Sequence, residues 1–73
     1  MPTATSAHDP LPHLDTFSRA AELGSFTAAG RALGITQAAV SQRVQTLERA
    51  LDISLFERKG GRVSLTDAGT QLY

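Results

Sequence analysis

Seventy-three residues, with seven Lys and Arg balancing seven Asp and Glu, make a short and formally neutral chain in which 41% of the residues are hydrophobic. That length holds one small domain, which buries only about 60% of its unfolded surface and depends on efficient packing. With no cysteine, it has neither a disulfide nor a thiolate metal site, no apolar run approaches the roughly 20 residues of a membrane helix, and no signal-peptide pattern is present.

Residues 1–8, MPTATSAH, are small and polar without period, so a disordered tail is expected there. Asp9 followed by Pro10 is a helix-start signal, because aspartate caps and proline suits the first turn. Pro12 still fits within that turn. Leu14, Phe17 and Ala21 then face a core, and Gly24 stops this first helix. Ser25 caps a second helix, in which Phe26, Ala29 and Leu33 recur at i, i+3 and i+7 as one buried stripe. Gly34 follows at once, and glycine tolerates the positive φ found just past helix ends. Thr36 caps a third helix with Val40, Val44, Leu47 and Leu51 at i, i+4, i+7 and i+11. Beyond Leu51 the helical period fails. Ile53 and Leu55, then Val63 and Leu65, alternate with polar residues, which is a strand signal. Between them Arg58-Lys59-Gly60-Gly61-Arg62 forms a basic hairpin tip, its adjacent glycines suited to a two-residue turn. Thr66 caps a fourth helix that runs to Tyr73.

A short helix, a glycine turn and a longer helix match the pattern of a DNA-binding helix-turn-helix. The outer face of the third helix offers Gln37, Ala38, Ser41, Gln42 and Gln45 where a solvated helix normally carries Glu and Lys. Glutamine can contact an adenine edge through two hydrogen bonds, serine can donate or accept, and alanine can touch a thymine methyl. The competing reading is a merely polar helix surface. The hairpin likewise has two readings: a solvated tip, or a wing whose Arg58, Lys59 and Arg62 reach phosphates or the minor groove. Zero net charge is unusual for a nucleic-acid binder. The positive charge is local, with three cations and no acid between Arg58 and Arg62, so the electrostatic footprint should be small.

These residues place the chain close to a known family. It resembles the N-terminal DNA-binding domain of LysR-type transcriptional regulators. The resemblance is carried by Gly24-Ser25-Phe26-Thr27, Ala29, Leu33, Ile35-Thr36-Gln37, Ala39-Val40-Ser41, Leu47-Glu48, Leu55-Phe56-Glu57-Arg58 and Val63-Ser64-Leu65-Thr66-Asp67-Ala68-Gly69. The pieces lie in the family's order and spacing over residues 14–73. The segment from Ile35 to Val44 is similar to members that regulate amino-acid metabolism and export. Three positions depart from the common pattern: Ala38 where many members have proline, Gln42 where many have arginine, and Gly30 where alanine is common. A mid-helix glycine costs about 1 kcal/mol relative to alanine, so a slightly weakened second helix is expected.

The resemblance implies a mainly α winged helix-turn-helix: three helices, a two-stranded wing and the start of a linker helix. On that reading residues 1–8 are tail, 9–65 the DNA-binding domain, and 66–73 the beginning of the linker, or dimerisation, helix. It implies that Gln37, Ala38, Ser41 and Gln42 read bases. It makes Thr27, Thr36, Arg43, Arg58, Lys59 and Arg62 contacts to the DNA backbone or minor groove. It further implies homo-oligomers on double-stranded DNA bearing an interrupted palindrome, with this chain alone a monomer or weak dimer. A C-terminal domain binding a small-molecule effector is implied as well. The 73 residues do not include that domain, so the chain reads as a fragment or a truncated copy. The expected location is cytoplasmic and nucleoid-associated.

Catalysis has no support in the residues. Ser25 and Ser41 are followed by no histidine, no paired carboxylates share a plausible cleft, and no glycine-rich phosphate loop follows a strand. His8 and His13 have no suitably spaced Cys, Asp or Glu cluster, so neither a metal nor another cofactor is expected; they read as a tail residue and an exposed helix residue. Glu48 is expected in helix-surface ion pairs and Glu57 as a balance to the basic wing. The alternative from another class is a winged-helix protein-interaction module that uses the same third-helix face without reading DNA.

Overall fold

The computed structural model describes residues 11–60 and 62–73. They form α1 (Leu11–Leu23), α2 (Phe26–Leu33), α3 (Gln37–Leu51), β1 (Phe56–Lys59), β2 (Arg62–Leu65) and α4 (Asp67–Leu72). This is a mainly α winged helix-turn-helix. The expected tail and the Asp9–Pro10 start signal lie outside the described residues, as does Gly61.

Local chemistry sets the helix ends. Ser25 Oγ accepts the Ala28 N–H at 3.1 Å, Thr36 Oγ1 the Ala39 N–H at 3.0 Å, and Thr66 Oγ1 the Gly69 N–H at 3.0 Å. Each satisfies one of the donors that a helix N-terminus leaves unpaired. Gly34 closes α2 in the left-handed region, φ 74°, and donates back to the Gly30 carbonyl. Asp52 does the same for α3 at φ 57°. Asp is among the few non-glycine residues that visit this region readily, because its short side chain can bond locally.

The core lies where α1, α2 and α3 meet the base of the hairpin. Phe17, Ala20, Phe26, Ala29, Val40, Val44, Leu47, Leu55 and Phe56 form one buried cluster. Its aromatic centre is Phe56, whose ring lies 5.4 Å from Phe26 edge-on and 5.5 Å from Phe17, geometries that favour aromatic pairs. Two members of the expected stripes fall outside the cluster. Leu33 is only half-buried, and Leu51, the last residue of α3, is 42% exposed. The chain turns at Asp52, the C-cap of α3, and leaves Leu51 at the edge of the core.

The hairpin departs from expectation in register. Ile53 is exposed and belongs to no strand; Leu55 is buried but precedes β1. The strands pair Phe56 with Leu65, Glu57 with Ser64, Arg58 with Val63 and Lys59 with Arg62. The basic residues are therefore strand residues, and the chain turns the corner just after Lys59. Gly60 sits there at φ 58°. The reason lies in Glu48. Its Oε2 accepts the Leu55 N–H at 2.7 Å, which anchors the chain below the strand and delays pairing until Phe56. Glu48 thus holds a loop rather than a surface ion pair. Among the described residues the ion pair is Arg19 with Glu22, at 3.4 Å, and Glu57 is exposed without one. The other edge of the wing is tied down as well: the Val63 N–H donates to the Gly24 carbonyl at 3.2 Å.

Gly30 reverses its expected role. A Cβ at this position would stand 2.7 Å from the Ile35 carbonyl oxygen and 3.3 Å from Thr36 backbone atoms. The Ile35 N–H donates to the Gly30 carbonyl at 2.9 Å. The turn into α3 folds directly onto α2, and the missing side chain makes room for that approach.

Candidate nucleic-acid interface

Burying Val40, Val44 and Leu47 turns the opposite side of α3 outward. Gln37, Ala38 and Gln42 are exposed there and Ser41 is half-buried. Thr36 is exposed at the helix start, with its hydroxyl occupied as the cap.

The wing and the N-termini of α2 and α3 enclose a concavity. Thr27, Gln37, Arg58, Lys59 and Arg62 all line it, over a floor of Phe26 and Val63. Five residues proposed from sequence for contact with nucleic acid, drawn from α2, α3, β1 and β2, therefore share one hollow. Three of them are cations and none is an acid, and helix N-termini add partial positive charge. Such a lining would favour an anion over a cation.

A second groove runs along α3 between Ser41, Gln45 and Glu48 on the helix and Ser54, Phe56 and Arg58 across from it. Gln45, which the sequence already placed on the outer face, thereby lines the groove beside Ser41. The signal for it was its place on the same face as Ser41, four residues on. Arg58 forms the wall between the two hollows. Its guanidinium lies 4.7 Å from the centre of the Phe26 ring, and Nη2 donates to Ser41 Oγ at 3.1 Å. The side chain expected from sequence to reach a phosphate or the minor groove thus lies, still exposed, against α3 and the Phe26 ring.

Exposed Gln42, away from the wing, lines a third hollow together with Arg43, His13, Ala39 and Thr46. Arg43 is half-buried, and its Nη1 donates to Thr16 Oγ1 at 3.3 Å. Expected as a backbone contact, it spends one donor fastening α3 to α1. His13 was expected on an exposed surface. It is half-buried, and its Nδ1 is enclosed without a hydrogen-bond partner among the described residues. Nothing local marked this histidine, because its surroundings come from α3, some thirty residues later. No group of three or more His, Asp or Glu among the described residues is placed to hold a metal.

A glycine-turned helix pair whose second helix is flanked by a basic wing defines the winged helix-turn-helix class of regulatory domains. The chain belongs to the lysR family of bacterial regulatory helix-turn-helix proteins, whose family model matches residues 11–70. An uncharacterized HTH-type transcriptional regulator in the ibpB-leuC intergenic region of Azotobacter vinelandii is 48% identical over 62 residues, covering 85% of this chain and 43% of the relative. The carbapenem-hydrolyzing beta-lactamase transcriptional activator of Enterobacter cloacae is 46% identical over 63 residues, 86% of this chain and 21% of that protein. The chain thus spans less than half the length of these relatives. Among solved structures, the BenM_DBD/catB site 1 DNA complex superposes with a TM-score of 0.81 at 40% identity, over 86% of this chain and 68% of the other. The CbnR_DBD-DNA complex gives 0.79 at 33% identity, over 82% and 69%.

Proposed function

We propose that the chain is a transcription-regulating domain that binds double-stranded DNA in a sequence-specific way. The observation that carries this reading is the hollow joining Thr27 and Gln37 to Arg58, Lys59 and Arg62. A phosphate seated there would fix α3 in the adjacent major groove, presenting Gln37, Ala38, Ser41 and Gln42 to base edges. Thr36, at the α3 N-terminus, would contact the backbone beside it, and Arg43 would do so on the far flank with the donors it does not give to Thr16. Two solved relatives in complex with DNA support the same use of this fold. The domain acts as a binder and not as a catalyst. We assign it to the bacterial cytoplasm, on the nucleoid. In the longer protein it works as part of a homo-oligomer on an interrupted palindrome, with a small-molecule effector bound by a separate domain.

Counterion release supplies the test. Affinity for duplex DNA should fall linearly on a log–log plot against salt, with a slope set by the number of phosphates neutralised. Binding by a protein-interaction module would not follow that law. An affinity for duplex DNA unchanged from 50 to 200 mM salt would refute the proposal.

A further inference from the structure

We infer that Arg58 is a specificity-determining residue, acting through Ser41: the guanidinium fixes the Ser41 hydroxyl as a hydrogen-bond donor toward DNA, selecting a base edge that presents an acceptor. The inference rests on the DNA-binding reading above and goes beyond it, because a basic wing residue is ordinarily a contact to the sequence-independent backbone.

The argument begins with valence. A serine hydroxyl has one proton and two lone pairs, whereas a guanidinium has only donors. In the Arg58–Ser41 bond, Nη2 must donate and Oγ must accept. The serine proton is thereby turned away from the cation, and it has no acceptor among the described residues. Accepting from a charged donor also polarises the hydroxyl and strengthens it as a donor in turn. A base amino group approaching the same oxygen would meet the guanidinium charge beside it. Cytosine N4 and adenine N6 are therefore disfavoured, while guanine N7 and O6, adenine N7 and thymine O4 are suitable partners.

Two contacts hold the exposed Arg58 side chain in this arrangement. Phe26 is buried and held edge-on by Phe56, 5.4 Å away, so the aromatic face beneath Arg58 is fixed. Stacking at 4.7 Å and a hydrogen bond at 3.1 Å restrain the guanidinium from two directions. Its backbone is paired with Val63 in the hairpin. A planar guanidinium can stack and donate at once; a lysine ammonium carries the same charge but cannot reproduce the stack with a directed fork.

Arg58→Lys separates charge from positioning. Sites selected from random duplexes by the wild-type chain, by Arg58→Lys and by Ser41→Ala are compared, with salt titration of each. The expected result has three parts. Arg58→Lys keeps the wild-type salt slope. It flattens base preference about threefold to tenfold at the same base pair that Ser41→Ala flattens. The double variant flattens that position no further. Uniform loss of affinity with every base preference intact would overturn the inference and leave the DNA-binding reading standing. A wild-type chain without salt-dependent DNA binding would remove both. If Arg58→Lys loses its helical circular-dichroism signal, the free Ser41→Ala domain carries the test by NMR. The Arg58 guanidinium resonances should move on losing Ser41, and unchanged resonances would overturn the coupling.

Discussion

Gln37 and Ser41 stand four residues apart on the outward face of α3, while Lys59 and Arg62 stand opposite each other on the wing. The two pairs should fail differently. Gln37→Ala and Ser41→Ala are each expected to cost about 1–3 kcal/mol at a preferred site and to relax selection at particular base pairs. Lys59→Ala and Arg62→Ala should weaken preferred and random duplexes alike, each lowering the salt slope by about one. Fluorescence anisotropy across a salt series, with site selection alongside, distinguishes them. Gly30 provides a residue-scale test of the fold. Propensity alone favours alanine there, yet its Cβ would press on the Ile35 carbonyl at 2.7 Å. Gly30→Ala should therefore destabilise, by about 1–3 kcal/mol as for other overpacked sites; urea unfolding with a raised midpoint would show that the turn yields.

At the scale of elements, α3 is one helix with two incompatible faces. Val44 is 2% exposed at its junction with the neighbouring helices, so Val44→Asp would bury an unpaired charge and should unfold the domain. Gln42→Asp, on the exposed side, should keep the wild-type circular-dichroism spectrum and damage DNA binding through repulsion from phosphate. Equal stability of the two variants would mean that the faces are misassigned. The connection from α3 to the wing hangs on Glu48, whose carboxylate takes the Leu55 N–H. Glu48→Ala leaves that half-buried donor unsatisfied and should cost about 1–3 kcal/mol. Because Leu55 anchors the base of β1, exchange protection should drop first in the hairpin amides, readable by hydrogen–deuterium exchange.

At the scale of the molecule, a single recognition helix reads only a few base pairs, so affinity depends on bringing two domains to successive groove turns about 34 Å apart. The element available to join copies here is α4, six residues long, and helices so short are marginal without packing partners. It exposes Leu72, with Tyr73 just beyond it, the Tyr73 ring also lying edge-on 6.2 Å from Phe17. The 73-residue chain should sediment as a monomer, or a weak dimer, at micromolar concentration and occupy one half-site with modest specificity. Joining two copies through a longer helix should tighten palindrome binding by orders of magnitude, since short tethers give effective concentrations near millimolar. A stable dimer of the chain in the absence of DNA would overturn this.

The sequence by itself determined whatever depends on neighbours in the chain. Caps at Ser25, Thr36 and Thr66, the stop at Gly34 and the apolar stripe through Val40, Val44 and Leu47 all follow from interactions spanning a turn or two. For the same reason the outward face of α3 could be named in advance. Tertiary structure alone decided the contacts between residues far apart in sequence. Ile53 and Leu55 alternate like a strand, yet Glu48 captures the Leu55 N–H and moves pairing on to Phe56. Gly30 looks like a weak point until the α2–α3 turn is folded against it. Arg58 reads as a free wing cation until Phe26 and Ser41 are brought beneath it, 32 and 17 positions earlier in the chain. His13 reads as exposed until α3 covers one side of it. Periodicity tells which side of an element is buried; only packing tells which atoms meet across the gap, because that depends on how the helices and the wing are set against one another in space.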